Sequence, residues 1–120
     1  MTPPPPFPPF LLHYQARVED ALDRLVPAQD QPPEDVHRAM RYTLLASSKR
    51  VRAALALLAA DVCGREERAM GVALAAELVH ASSLILDDLP CMDDALMRRG
   101  QPACHVVFGE ATSLLASFAL

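Results

Sequence analysis

The chain has 120 residues, a net charge of −4, 52% hydrophobic and 5% aromatic side chains, and no tryptophan. At that length it is one domain at most, able to bury roughly two-thirds of the surface its unfolded form exposes. Its Ala/Leu/Val-rich composition, with only four glycines, favours helices over sheets, and arginines that are scattered or sit beside acids argue against nucleic acid as a partner.

Residues 1–9 hold six of the eleven prolines. Such a run adopts extended polyproline geometry and cannot join a helix, so it reads as a disordered leader rather than a ligand for a proline-recognising domain. The helical domain is then 10–120. Its first helix is predicted from about Leu11 to Leu25, with Leu11, Leu12, Val18, Leu22 and Leu25 on the apolar face. Pro27, Pro32 and Pro33 form a connector. Glu34-Asp35 then opens a second helix with acids in its first turn, where the dipole favours them. This helix carries Val36, Met40, Leu44 and Leu45 towards a break at Ser47-Ser48. A third helix is predicted over Val51–Val62, stopped by Cys63-Gly64.

The fourth helix, from about Glu67 to Leu89, is the most apolar. Glu77, His80, Leu84 and Asp87 recur on it at i, i+3, i+7 and i+10, so His80 and Asp87 share a face. A polar stripe on an apolar helix points to a lined cavity. Pro90 ends the regular helix, residues 95–107 read as a loop around Gly100 and Pro102, and Gly109–Leu120 reads as a fifth helix. The chain stops inside that helix with no cap, which reads as truncation.

Cys63, Cys91 and Cys104 are an odd number at spacings that fit no zinc or disulfide framework. A reducing compartment is the simplest reading. No basic region precedes an apolar core at the N-terminus. Glu77 and His80 interrupt the apolar stretch of the fourth helix, so no transmembrane segment is expected. The expected location is cytoplasmic.

The chemistry concentrates in Asp87-Asp88-Leu89-Pro90-Cys91-Met92-Asp93-Asp94, followed by Arg98-Arg99-Gly100. Mg²⁺ is held through one or two carboxylates together with the oxygens of a substrate phosphate. Guanidinium groups bind phosphate oxygens bidentately. Carboxylate, cation, phosphate and arginine form a charge-balanced sandwich whose protein layers are both present, so this is read as a diphosphate-binding site. The bland alternative, an acidic helix end, sets carboxylates against the helix dipole without a reason.

His80-Ala-Ser-Ser-Leu-Ile-Leu-Asp-Asp-Leu-Pro-Cys-Met-Asp-Asp-Ala, then Arg98-Arg99-Gly100-Gln101-Pro102 and Phe108-Gly109-Glu110, closely resembles the trans-prenyl diphosphate synthase (polyprenyl synthetase) family, nearest to the bacterial geranylgeranyl diphosphate synthases. The resemblance extends from roughly Val36 to Leu120. Asp87, Asp88 and Asp93 match the longer form of the family's first aspartate-rich motif, DDxxxxD. The resemblance implies an all-α, isoprenoid-synthase-type antiparallel helix bundle, of which only the N-terminal helices are present. It implies Mg²⁺-dependent condensation of isopentenyl diphosphate with an allylic diphosphate, usually in a homodimer. On the same basis Asp87 and Asp93 would ligate Mg²⁺ with Asp88 in support, and Arg98 would contact the allylic diphosphate. Lys49, Arg52, His80 and Arg99 would hold the diphosphate of isopentenyl diphosphate.

The residue about five before the first motif aspartate commonly limits product length in this family. Here it is Ser82, roughly 7–8 Å down the helix from Asp87, with Ser83 beside it. Small side chains there imply a product of geranylgeranyl length. Two departures stand out. The family's Gly-Gly-Lys-Arg-x-Arg-Pro is Ser47-Ser48-Lys49-Arg50-Val51-Arg52-Ala53 here, which puts the acceptor-site geometry in question, since glycine permits close approach of backbone to phosphate. The family's second aspartate-rich motif has no counterpart, so the 120 residues are not expected to catalyse alone. The alternative is a non-catalytic small subunit, or a fragment, that pairs with a full-length synthase. Known small subunits often lose motif aspartates or arginines, and this chain keeps them.

Overall fold

The computed structural model describes residues 7–120. Its elements are α1 (Pro9–Leu25), α2 (Glu34–Leu44), α3 (Val51–Val62), α4 (Glu66–Asp88), β1 (Met97–Arg98), β2 (Gln101–Pro102), α5 (Cys104–Phe108) and α6 (Glu110–Ala119). Most of the expected leader lies outside the described residues. Its boundary moves, because Pro9 is the first residue of α1, a position where the missing N–H has no intrahelical partner in any case.

On α1 the buried stripe is Tyr14, Val18 and Leu22 at i, i+4 and i+8. Leu12 and Leu25, expected on the apolar face, are 49% and 53% exposed. Tyr14 and Val26 fill the core in their place. The stop after α3 is a Schellman turn. Gly64 takes φ +67, the Arg65 N–H donates to Ala60 O at 2.8 Å, and the Gly64 N–H donates to Asp61 O at 2.9 Å.

Two clusters form the core. α1, α3 and α4 enclose Val18, Leu22, Ala53, Ala54, Leu57, Ala73 and Ala81. A second cluster of Ala39, Met40, Ile85, Cys104 and Ala116 joins α2, α4, α5 and α6. Alanines on α3 and α4 let the two helices approach closely, which accounts for their pairing being the most extensive in the structure. By length and mean hydropathy (1.7 over an 18-residue window) α4 is apolar enough to cross a membrane. In this fold it is the central helix, packed against α3 and α6, and it buries Glu77 and Asp88.

Residues 95–107 are not the plain loop expected. Met97 pairs with Pro102 and Arg98 with Gln101 in an antiparallel hairpin. Its Arg99-Gly100 turn has φ +53 and +78, the two positive values that suit the twist of a two-residue hairpin. α5 follows directly, so the last helix is the sixth. Strands of two residues leave no alternation to read, and the hairpin is fixed from outside. The Tyr42 hydroxyl donates to Pro102 O at 2.7 Å, and Gln101 Nε2 donates to Tyr42 O at 3.3 Å.

Candidate functional site

The aspartate turn grows out of the end of α4. Leu89, the residue before Pro90, takes φ −57 and ψ 150, because the proline ring disfavours helical geometry in its predecessor. The chain then folds back and caps the helix. The Asp93 N–H donates to Asp87 O at 2.9 Å, Asp94 N–H to Leu89 O at 3.0 Å and Ala95 N–H to Asp88 O at 3.1 Å. These bonds satisfy the helix's last carbonyls and tie Asp93 to Asp87. Both carboxylates are exposed.

Asp88 lies differently. It is 3% exposed and accepts both arms of the Arg98 fork, Nε at 2.9 Å and Nη2 at 2.5 Å. That pairing, helped by Asp87 and Asp93 and opposed by burial, raises the Arg98 pKa above its ordinary value. The structure thus separates the three motif aspartates into two solvent-facing groups and one buried clamp on the hairpin. Among the described residues no three His, Cys, Asp or Glu side chains converge as a cage. Mg²⁺ is typically held by one or two carboxylates plus substrate phosphates, so Asp87 and Asp93 are a donor set that fits it.

Lys49, Arg52, His80 and Arg99 come from three separate stretches of chain and line one open cavity of about 430 Å³, together with the buried Arg50 and Glu77. Arg99 Nη2 lies 3.4 Å from His80 Nε2. A guanidinium only donates, so Nε2 accepts and carries no proton. Burial, Arg52 and Arg99 push the His80 pKa below 6.5, with Glu77 opposing. Burial lowers the Arg99 pKa as well, followed by Arg50, with Arg98 and Arg52 adding. Burial is the larger cause in both, and the neighbouring guanidiniums add a positive field that a bound anion would relieve.

Sequence reasoning missed Arg50 and Glu19. Arg50 is 2% exposed, takes φ +52 and is ion-paired with Glu19 and Glu77. The available signal was the acidic Glu77 in the apolar stretch of α4, which demands a buried partner. Ser47 and Ser48 stand in this turn where the family pattern has glycines. The left-handed non-glycine residues are Arg50, Asp94 and Arg99, so neither Ser47 nor Ser48 sits where glycine is favoured. Ser48 is instead used as a tether, its carbonyl accepting from Gln15 Nε2 at 2.7 Å and its Oγ from the Arg50 N–H at 3.3 Å.

The two serines considered for product length face different ways. Ser82 Oγ donates to Ser117 O at 2.7 Å, across the α4–α6 contact. Ser83 lines an apolar groove of about 540 Å³ beside the cationic cavity, with Val72, Ala76, Val79, His80 and Arg52. Successive helical residues differ by about 100° in direction, so Ser83, His80 and Asp87 share one face of α4.

The family model for polyprenyl synthetase matches residues 33–120. Geranylgeranyl pyrophosphate synthase 6, mitochondrial, from Arabidopsis thaliana is 54% identical over 110 residues, covering 86% of this chain and 33% of that protein. The Arabidopsis thaliana heterodimeric geranylgeranyl pyrophosphate synthase large subunit 1, chloroplastic, is 51% identical over 104 residues, covering 86% of this chain and 28% of that protein. Among solved structures, geranyltranstransferase from Thermotoga maritima matches with a TM-score of 0.84 at 37% identity, covering 92% of this chain and 41% of that one. Geranylgeranyl pyrophosphate synthetase from the archaeon Geoglobus acetivorans matches with a TM-score of 0.84 at 34% identity, covering 92% and 35%. The chain therefore belongs to the polyprenyl synthetase family and has the helical fold of the isoprenoid synthases. It spans about a third of the length of the curated relatives it matches.

Proposed function

We propose that this chain supplies the N-terminal part of a prenyl diphosphate synthase site, which condenses isopentenyl diphosphate with an allylic diphosphate to give geranylgeranyl diphosphate. The observation that carries the reading is the gathering of Lys49, Arg52, His80 and Arg99 around one cavity beside α4, the helix whose last turn holds Asp87. The seven residues from His80 to Asp87 span about 10 Å of helix, a separation suited to two diphosphates bound side by side.

In this reading Asp87 and Asp93 would hold Mg²⁺ together with the allylic diphosphate, and Asp88 fixes Arg98 at the rim of that site. Bound there, Mg²⁺ would supply Lewis-acid neutralisation of the departing diphosphate. Lys49, Arg52, Arg99 and His80 hold the acceptor diphosphate without metal and orient its double bond, a proximity effect. The apolar surface of Ala76 and the exposed Val72 and Val79 offers one wall against which the hydrocarbon chains would be kept from water once the site is enclosed. Names of relatives that specify a heterodimer support pairing with a second synthase subunit, with a homodimer as the alternative. We also propose a cytoplasmic location. Three unpaired cysteines suit a reducing compartment, while some relatives carry mitochondrial or chloroplastic names.

The test is an assay of the purified chain with Mg²⁺, isopentenyl diphosphate and allylic primers, alone and mixed with a full-length synthase. Alone, the chain is expected to bind diphosphates and form little product. Asp87→Asn should abolish the Mg²⁺-dependent part of that binding, and binding that ignores both metal and Asp87 would refute the aspartate assignment. In an active assembly, Ser82→Phe should shorten the product. The groove makes Ser83→Phe the stronger block, and unchanged chain length in both variants would remove the length reading.

A further inference from the structure

Arg50 is the largest fully buried side chain described, yet it sits between two residues that face the acceptor cavity. Its Nε donates to Glu19 Oε1 at 2.6 Å, its Nη1 to Glu77 Oε2 at 3.3 Å, and its Nη2 to Glu19 Oε2 at 3.4 Å and to Leu44 O. The guanidinium therefore grips α1, the end of α2 and α4 at once. Glu77, 2% exposed, also accepts the Ala53 N–H at 3.2 Å. It thereby caps the first turn of α3, where negative charge is favoured. Two carboxylates neutralise Arg50, and its donors are directed at protein acceptors, so it has little left to offer an anion. What it sets is backbone: with φ +52 it turns the chain between Lys49 and Arg52.

We propose that Arg50, clamped by Glu19 and Glu77, is the positioning residue of the acceptor cavity, holding the Lys49–Arg52 turn so that both cations meet one diphosphate. This rests on the reading of that cavity as the acceptor-diphosphate site. Arg50 borders the cavity, but with its guanidinium committed to Glu19, Glu77 and Leu44 O it acts through Lys49 and Arg52.

The experiment is calorimetric titration of the full 120-residue chain with inorganic pyrophosphate, in a metal chelator so that the aspartate turn is silent. Arg50→Gly is the informative variant, because glycine accepts the left-handed backbone and leaves a guanidinium-sized space between Glu19 and Glu77. With helicity retained by circular dichroism, it should bind roughly ten- to a hundredfold more weakly, the loss of about one charge-assisted contact. Added methylguanidinium should restore part of that affinity. Lys49→Ala should also weaken binding less in the Arg50→Gly background than in the parent, since the two act as a unit. Unchanged affinity, or additive losses without rescue, would overturn the proposal. If Arg50→Gly does not fold, Glu19→Gln decides. It removes one charge from the clamp without altering the cavity lining, and undiminished binding would then overturn the role. No pyrophosphate binding by the parent chain would instead remove the acceptor-site reading itself, and the Arg50 role with it.

Discussion

His80 is held neutral from two directions. Arg99 donates towards its Nε2, and burial followed by the charges of Arg52 and Arg99 lowers its pKa from 6.5. The consequence for stability has a definite sign. Between the lowered folded value and 6.5 the unfolded chain binds the proton more readily than the folded one, so stability rises with pH through that window. Acidification from neutrality should therefore destabilise the parent chain more than His80→Gln, measured as the difference in urea midpoint between pH 7.5 and 5.5. Equal pH dependence in the two proteins would count against a neutral, cation-crowded His80. Asp88 shows the opposite case: a carboxylate that the family resemblance places in support of the metal is 3% exposed and committed to Arg98.

Among the elements, the α3–α4 pair carries the cationic turn on one end and the polar stripe on one face. Leu57 on α3 is fully buried in the cluster that joins these helices to α1. Leu57→Ala should cost about 2–5 kcal/mol by leaving a cavity that close-packed alanines cannot fill. A shift in the urea unfolding midpoint at unchanged m-value is the measure, and a loss below about 1 kcal/mol would mean that this layer collapses freely. The boundaries of α3 were legible because a glycine stop and an alanine-rich run leave few alternatives. The hairpin after α4 was not, since Tyr42, distant in sequence, and the buried Asp88 hold it in place.

As a whole, the described residues form a slab of 43 × 43 × 23 Å with a radius of gyration of 15.5 Å, where a compact globule of this length has about 13–14 Å. Its broad faces carry unpartnered apolar side chains. Val51, Leu55 and Val62 form a stripe on α3, Val72 and Val79 one on α4, and Leu115 and Phe118 project from α6. The packed clusters argue for an ordered core and the faces for adhesion. The isolated chain should bind a hydrophobic dye and associate with rising concentration while keeping its helical spectrum. A dye-silent monomer at high concentration would contradict this.

Sequence alone determined the helical class, because periodicity, alanine content and the Gly64 and Pro90 stops are local properties. It also brought out the aspartate turn, whose carboxylates and arginines carry their own chemical meaning, while Lys49, Arg52, His80 and Arg99 were nominated through the family resemblance. Only the tertiary structure decided which charges line an open cavity and which face each other. It set Lys49, Arg52, His80 and Arg99 around one cavity, turned Ser82 into the α4–α6 contact, and buried Arg50 and Asp88 in ion pairs. The physical reason is that an ion pair between residues far apart in the chain exists only once their elements have packed. A charge's role is therefore settled by what burial leaves beside it.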